Sequence, residues 1–193
     1  MRYLHITLLF VAIGLASCNN TPGSENENKA VATASLPVQS KLNEAGTKKL
    51  ADVIADYYGL KNAFVATKAP QVDSSAAKLL NSANTLISYL KTDSSNGGAL
   101  KPYLDTIATE TQDLIATKDE TCEKQRLPFS KVSDMMFTLL KNAGVKNAVI
   151  YQEHCPMAFD GKGANWLSDD ADIKNPYFGK KMLECGEVTD SIK

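Results

Sequence analysis

Four stretches of apolar residues spaced three and four positions apart constrain the fold of this 193-residue chain more than any other feature. The first and second lie on either side of Pro70, and the third and fourth are centred on Ile107 and Met136. This spacing places the apolar side chains on one face of an α-helix. Four helices that each have a single apolar face can bury those faces only against one another. We therefore predict an up-and-down antiparallel four-helix bundle over about residues 41–144.

Residues that start, stop or break helices refine this prediction. Asp73 and Ser74 offer an N-cap for the second helix. Pro102 is tolerable only in the first turn of the third helix. Pro128 cannot lie unstrained within a helix, so either the fourth helix begins near it or a longer helix is kinked there. The fourth helix is predicted to end near Gly144.

The pattern changes after the fourth helix. Residues 147–152 combine β-branched and aromatic side chains and predict a strand. The remainder of residues 145–193 holds two cysteines, two methionines and the only tryptophan, punctuated by Gly, Asn and Pro. We predict a compact strand-and-loop appendage packed against the bundle. The fold class is therefore mainly α, with a small β and loop appendage.

Composition and charge exclude several functions. The chain has 44% hydrophobic residues, which is typical of a globular protein. It has 21 basic and 22 acidic residues, a net charge of −1, so it lacks the basic surface that nucleic acids require. His154 is the only histidine outside the first 17 residues, which excludes a multi-histidine metal site and leaves no Ser/His/Asp set without it. We expect no enzymatic activity.

The N-terminus predicts export and lipidation. Residues 6–15 form an apolar run of about ten residues, too short to cross a bilayer and typical of a signal peptide. The sequence Leu15-Ala16-Ser17-Cys18 resembles the lipobox of bacterial lipoproteins. The resemblance implies removal of residues 1–17 as the signal peptide and lipidation of Cys18. The alternative is an ordinary signal peptide followed by an incidental cysteine.

The segment after the lipobox reads as a tether. Up to residue 40 it is rich in Asn, Ser, Thr, Ala and Pro and has no sustained period, so it cannot bury a core. We assign residues 18–40 to the lipidated cysteine and its tether, and residues 41–193 to a single domain. We expect the protein on the extracytoplasmic side of the bacterial cell envelope, with the outer membrane favoured. The sequence does not specify the leaflet.

The sulfur-containing residues of the appendage form two pairs. Cys155 and Met157 are two positions apart, so on an extended chain their sulfur atoms point to one side. Met182 and Cys185 are three positions apart, a spacing that one helical turn or a tight loop aligns. Together they would form a thiolate and thioether site suited to Cu(I) or another soft ion. His154 is a secondary candidate, because an extended backbone directs it to the opposite face.

A disulfide is the main alternative to a metal site. Two cysteines of an exported domain commonly pair. A Cys155–Cys185 bridge would close a loop of about 30 residues and stabilise the fold by about 3–4 kcal/mol on the chain-entropy model. Met157 and Met182 would then pack around Trp166. The two residues could also be free structural thiols, and Cys122 remains unpaired in every case.

The appendage also resembles a bacterial family named only as a domain of unknown function. Its members occur as small lipoproteins and as the C-terminal part of some periplasmic adaptor subunits of copper- and silver-type efflux systems. The residues that carry the resemblance lie chiefly in this segment: Tyr151, His154-Cys155-Pro156-Met157-Ala158, Gly163-Ala164, Trp166-Leu167-Ser168, Ile173, Asn175-Pro176-Tyr177, Gly179, Met182-Leu183 and Cys185-Gly186. Arg126, Phe129 and Ser133 on the fourth helix match more loosely. Tyr151, Pro156, Trp166, Asn175, Pro176, Tyr177, Gly179 and Gly186 are expected to shape the appendage.

These observations favour one function and leave two alternatives. The favoured function is a lipid-anchored extracytoplasmic protein that binds soft metal ions, as a buffer or as an accessory of a heavy-metal efflux system. The resemblance implies the efflux adaptor as a partner. The first alternative is a disulfide-stapled module that docks on an envelope protein without metal. The second, a thiol-redox protein, is disfavoured because the sequence has no Cys-x-x-Cys.

Overall fold

Four long helices form the N-terminal part of the described chain. The computed structural model describes residues 38–92 and 97–193. The helices are α1 (Glu44–Ala66), α2 (Ala69–Leu90), α3 (Gly97–Ala116) and α4 (Arg126–Ala143). Each helix packs against the next along the chain. The prediction of a mainly α fold built on an up-and-down helical bundle is confirmed. The predicted signal peptide and Cys18 lie outside the described residues.

The bundle core is filled by leucine, alanine and three buried aromatic rings. Tyr57 and Phe64 on α1 face Phe129 on α4, and all three are fully buried. The ring centroids of Phe64 and Phe129 lie 4.7 Å apart, and those of Tyr57 and Phe129 lie 5.7 Å apart. Ring contacts at this range stabilise a core beyond the area that they bury. The first and last helices are therefore joined through aromatic side chains.

The start of α2 differs from the sequence prediction. The N-cap predicted at Asp73 and Ser74 is wrong, because α2 begins four residues earlier, at Ala69. Pro70 lies in the first turn of α2, where a missing N–H costs no helical hydrogen bond. Asp73 instead accepts hydrogen bonds from Lys118 Nζ (2.8 Å) and Gln125 Nε2 (3.1 Å).

The two internal prolines behave differently. Pro102 lies in the second turn of α3 rather than the first, because the helix already begins at Gly97. The carbonyl group of Gly98 loses its helical donor there, but this residue is exposed and accessible to water. Pro128 is the third residue of α4, which confirms that the fourth helix begins near it. Gly144 caps the C-terminus of α4 in the left-handed conformation, as predicted.

The appendage contains a three-stranded antiparallel sheet. Its strands are β1 (Ile150–Cys155), β2 (Ala164–Ser168) and β3 (Glu187–Ile192), in the order β2-β1-β3. A short turn, α5 (Ala158–Gly161), joins β1 to β2, and a 3₁₀ turn spans Gly179–Lys181. The strand predicted at residues 147–152 begins later, because Asn147 has a positive φ of 59° that a strand does not allow. It also runs further, to Cys155.

A hydrogen-bond chain docks the sheet on the bundle. The backbone N–H of Leu167 on β2 donates to the Tyr57 hydroxyl (3.0 Å). The Ser133 hydroxyl donates to the carbonyl of Phe129 (3.0 Å), so its remaining contact with Tyr57 (2.8 Å) is one in which Tyr57 donates. Tyr57 and Ser133 are both buried. The chain therefore links β2, α1 and α4 through fully satisfied polar groups.

The segment before α1 crosses the C-terminal end of α4. Gln39 and Lys146 exchange both backbone hydrogen bonds, at 3.0 and 2.9 Å, and the N–H of Lys41 donates to Ala143 (2.8 Å). Val38 packs against the core. The described chain therefore begins beside the C-terminal end of α4. In the described ranges, no helix has the length and apolar content needed to cross a membrane.

We predict that Tyr57→Phe destabilises the fold by about 1–3 kcal/mol, because it leaves the buried N–H of Leu167 without an acceptor. The measurement is the free energy of unfolding in urea. Tyr58→Phe is the matched control, since the buried hydroxyl of Tyr58 has no hydrogen-bond partner. Its loss should leave stability unchanged or raise it. Equal destabilisation by the two substitutions would contradict the docking role of Tyr57.

Candidate functional site

The appendage brings two of the predicted ligands, Cys155 and Cys185, into contact. Their sulfur atoms lie 2.9 Å apart, and both are free thiols. Cys155 ends the central strand and has no solvent exposure, whereas Cys185 lies in a turn and is half-buried. Residues about thirty positions apart in sequence therefore form one thiol pair, with one buried and one accessible member.

Asn175 holds the loop that carries Cys185. Its side-chain amide donates to the carbonyl of Cys185 (2.6 Å), and its side-chain oxygen accepts from the backbone N–H of Tyr177 (2.7 Å). Its own N–H donates to the carbonyl of Leu183 (2.8 Å). Asn175 is fully buried, so these bonds are not exposed to competition from water. They account for a short side chain with both a donor and an acceptor at position 175.

Glycine is required beside the second cysteine. Gly186 has a φ of 151°, and a Cβ atom there would lie 2.7 Å from the ring of Trp166 and 2.9 Å from the carbonyl oxygen of His154. No other residue fits without moving the turn. The close approach lets the buried Trp166 ring cover the turn that presents Cys185.

The same loop is anchored to the bundle. Tyr177 donates to the carbonyl of Asn165 on β2, and its ring contacts that of Phe129 at 5.9 Å. Arg126 at the start of α4 donates from Nε to the carbonyl of Pro176 (2.9 Å) and from Nη2 to Thr67 Oγ1 (3.2 Å). The loop therefore rests on the C-terminal end of α1 and the N-terminal end of α4.

The two methionines have different positions. Met182 lies in the turn closed by the hydrogen bond from the N–H of Cys185 to the carbonyl of Met182 (3.2 Å), as its spacing predicted. The extended chain assumed for Cys155 and Met157 is wrong, because β1 ends at Cys155 and the chain turns at Pro156. Met157 is 57% exposed and lines a solvent-facing cleft of about 810 Å³. The packing of Met157 around Trp166 expected in the disulfide alternative is likewise not observed.

His154 does not join the thiol pair. Its Nδ1 atom contacts Asn165 Oδ1 at 2.8 Å, across from it on β2. The amide of Asn165 in turn donates to Asp134 on α4 (3.1 Å). His154 thus lies on the face of β1 opposite that of Cys155, as strand alternation predicts.

The distance between the two sulfur atoms lies between the distance expected for two thiolates that share a metal ion and the distance in a disulfide. Two thiolates that bind one ion at about 2.3 Å with tetrahedral geometry lie about 3.8 Å apart. Two sulfur atoms in a disulfide lie about 2.05 Å apart. The observed 2.9 Å requires a movement of about 0.9 Å in either direction. Within residues 38–92 and 97–193, no group of three or more His, Cys, Asp or Glu side chains could hold a metal, so a further ligand would be Met182 or come from outside.

The hydrogen bond between the two thiols affects the reactivity of Cys185. The pKa of Cys185 is raised, first because its thiol hydrogen-bonds to Cys155, and then by burial and by the charge of a Cys155 thiolate. A thiolate is the reactive and metal-binding form of cysteine. The raised pKa lowers the fraction of Cys185 present as thiolate, so metal binding at this thiol releases a proton.

A buried polar cluster lies beside the site and was not predicted from the sequence. It contains Glu153, Tyr58, Lys61, Trp166 and Ser168. Glu153 has no solvent exposure, and burial raises its pKa to about 7, partly offset by Lys61. Burial lowers the pKa of Lys61, whose Nζ lies 3.5 Å from Ser168 Oγ. The indole N–H of Trp166 lies near the carboxylate, yet neither group forms a hydrogen bond with acceptable geometry.

The sequence contained one signal for this cluster. Lys61 lies on the apolar face of α1, between the buried Leu60 and Phe64, where a charged side chain needs a partner. Cys122, by contrast, is fully buried among apolar neighbours at the bundle end, consistent with a small structural thiol.

The fold and the thiol pair define a helical-bundle domain with a cysteine-containing β appendage. Residues 53–148 match the family described as "Protein of unknown function (DUF3347)". The match covers most of the bundle and ends just before β1, whereas the resemblance noted in the sequence lay chiefly in the appendage. The search of curated proteins and the search of solved structures each gave no match.

We predict that Glu153→Gln stabilises the protein increasingly as the pH rises from 5 to 8. A carboxyl group whose pKa is about 7 when folded and 4.5 when unfolded binds its proton more tightly in the folded state. The stability that it contributes is complete below about pH 4.5 and is lost as the pH rises through about 7. The difference between variant and native protein should therefore grow by about 2–3 kcal/mol across this range.

The measurement is urea unfolding at both pH values in the presence of a chelator. Glu184→Gln, which removes an exposed carboxylate from the same segment, is the control and should show no such growth. A Glu153→Gln effect of equal size at both pH values would contradict the prediction.

Proposed function

We propose that this is a lipid-anchored extracytoplasmic protein that binds a soft monovalent metal ion such as Cu(I). The ligands are the thiolates of Cys155 and Cys185, with the Met182 thioether as the third ligand. The protein would act as a metal buffer or as an accessory of heavy-metal efflux. The observation that carries the proposal is the contact between the two sulfur atoms, 2.9 Å apart, in a loop held by Asn175.

The chemistry of the ligands favours a soft ion. Thiolate and thioether sulfur select Cu(I) and similar ions over hard cations such as magnesium or calcium. The half-buried Cys185 offers an entry point, and the buried Cys155 shields the bound ion from competing ligands in solution. Met182 shares a hydrogen-bonded turn with Cys185 and therefore moves with it when the pair opens.

The cellular setting is supported by sequence. The lipobox at residues 15–18 supports anchoring through Cys18. The resemblance of the appendage to small lipoproteins and to parts of efflux adaptors supports an adaptor of a copper- or silver-type system as the partner. The DUF3347 match itself carries no assigned function.

A second function is favoured by the location and spacing of the same pair. In an oxidising compartment the two thiols can lose two protons and two electrons to a disulfide oxidant and form a Cys155–Cys185 bridge. The bridged protein would be a non-enzymatic interaction module that docks on an envelope partner without metal. Both functions use the same 2.9 Å contact, so they differ only in the state of the sulfur atoms.

We predict that the anaerobically reduced chain from residue 19 onward binds one Cu(I) with loss of both appendage thiols. The double variant Cys155→Ser, Cys185→Ser should bind at least about 100-fold more weakly, because it lacks both thiolate ligands. Met182→Leu should weaken binding by about tenfold, and Met157→Leu should not change it. The measurement is titration of Cu(I) against a competing chelator, together with thiol counting.

Cys122→Ala is the matched control, because it removes the other cysteine of the described domain without touching the pair. Its affinity should equal that of the native chain. If the reduced native chain binds Cu(I) no more tightly than the double variant, metal binding is refuted and the disulfide-stapled module is retained. An equal effect of Met157→Leu and Met182→Leu would refute the assigned third ligand.

A further inference from the structure

The two members of the thiol pair differ in accessibility. Cys155 has no solvent exposure and lies on the central strand, paired with Ala164 of β2. Cys185 is half-buried, and the residues before it, Leu183 and Glu184, are exposed. Thiol–disulfide exchange requires one sulfur atom to approach another directly, so access decides which thiol reacts first. An external disulfide can reach only Cys185 without opening the sheet.

The contact between the thiols provides the second step. The sulfur atom of Cys155 lies 2.9 Å from that of Cys185. When Cys185 carries a bound partner, the neighbouring Cys155 is placed to attack its sulfur. Cys155 lies in the ladder of β1, whereas Cys185 lies in a turn closed by its own N–H to the carbonyl of Met182. The pair therefore combines an accessible attacking thiol with a buried resolving thiol.

We propose that this pair exchanges with external disulfides in a fixed order, in which Cys185 enters the reaction and Cys155 completes it. First, the Cys185 thiolate attacks the external disulfide, which forms a mixed disulfide and releases one partner thiolate. Second, the Cys155 thiolate attacks the Cys185 sulfur, which forms the Cys155–Cys185 bridge and releases the second partner thiolate. The protein loses two electrons and two protons, and the partner disulfide is reduced to two thiols.

This exchange gives the site an activity beyond metal binding. It supplies by proximity in the fold what a Cys-x-x-Cys motif supplies in sequence. On the proposed function, the bridge would also remove both thiolate ligands, so an oxidised envelope disulfide would switch metal binding off. The order of exchange does not depend on metal, and each claim can therefore fail without the other.

The test uses the full chain in detergent, with oxidised glutathione as the probe disulfide and peptide mapping by mass spectrometry. Cys155→Ser should accumulate a stable glutathione adduct on Cys185. Cys185→Ser should react at least about tenfold more slowly, because Cys155 is buried. The native chain should show only a transient adduct, on Cys185, before it forms the internal bridge. Both variants carry Cys122→Ala so that no other appendage or bundle thiol reacts.

A measurement on the native chain avoids any effect of the substitutions on folding. Brief alkylation with iodoacetamide should label Cys185 well before Cys155. Adduct formation on Cys155 at a rate equal to that on Cys185, or a native chain that keeps its glutathione adduct without bridging, overturns the proposal. Loss of Cu(I) binding with correct exchange order would refute only the proposed function.

Discussion

The docking of the sheet depends on one tyrosine hydroxyl. Tyr57 accepts from the backbone of β2 and donates to Ser133 on α4, within a core that excludes water. In this series of hydrogen bonds, each hydroxyl has only one acceptor to which it can donate. The donor and acceptor roles, as well as the packing, therefore fix the relative positions of β2, α1 and α4. Arg126 and Tyr177 then attach the remaining loop to the same frame. These contacts support the strand that carries Cys155 and the turn that carries Cys185, and so hold the cysteine pair in place.

The helical part of the fold followed from periodicity because each helix needs one apolar face. The boundaries were less predictable. Asp73 has the side chain of an N-cap, but its carboxylate binds Lys118 and Gln125, and α2 begins where Pro70 already fits. Pro102 was expected near a helix start, and the glycines before it extend α3 by a further turn. Local residue preferences correctly indicated that helix boundaries occur in these regions, but they misplaced the residues at which the helices begin.

The sequence predicted those parts of the candidate site that depend on residues close together along the chain. The turn from Met182 to Cys185 agrees with the sequence spacing, and the hypothesis that Cys155 and Cys185 meet agrees with their contact. Met157 does not, because its assignment required the strand to continue through Pro156. The buried Glu153 was not predicted at all, since nothing in a single strand shows that Lys61 and Trp166 from other elements will face it. Long-range polar clusters of this kind arise from tertiary packing and leave little trace in a local pattern.

The N-terminal entry of the chain beside Lys146 has a geometric consequence for the thiol pair. β1 starts near the end of α4, and its register places Gln152 opposite Asp190, which pairs with Lys141. It then runs toward the start of α4, where Arg126 holds the loop after Pro176. An α1 of 23 residues is about 35 Å long. The thiol pair and the N-terminal end of the described chain therefore lie toward opposite ends of α4.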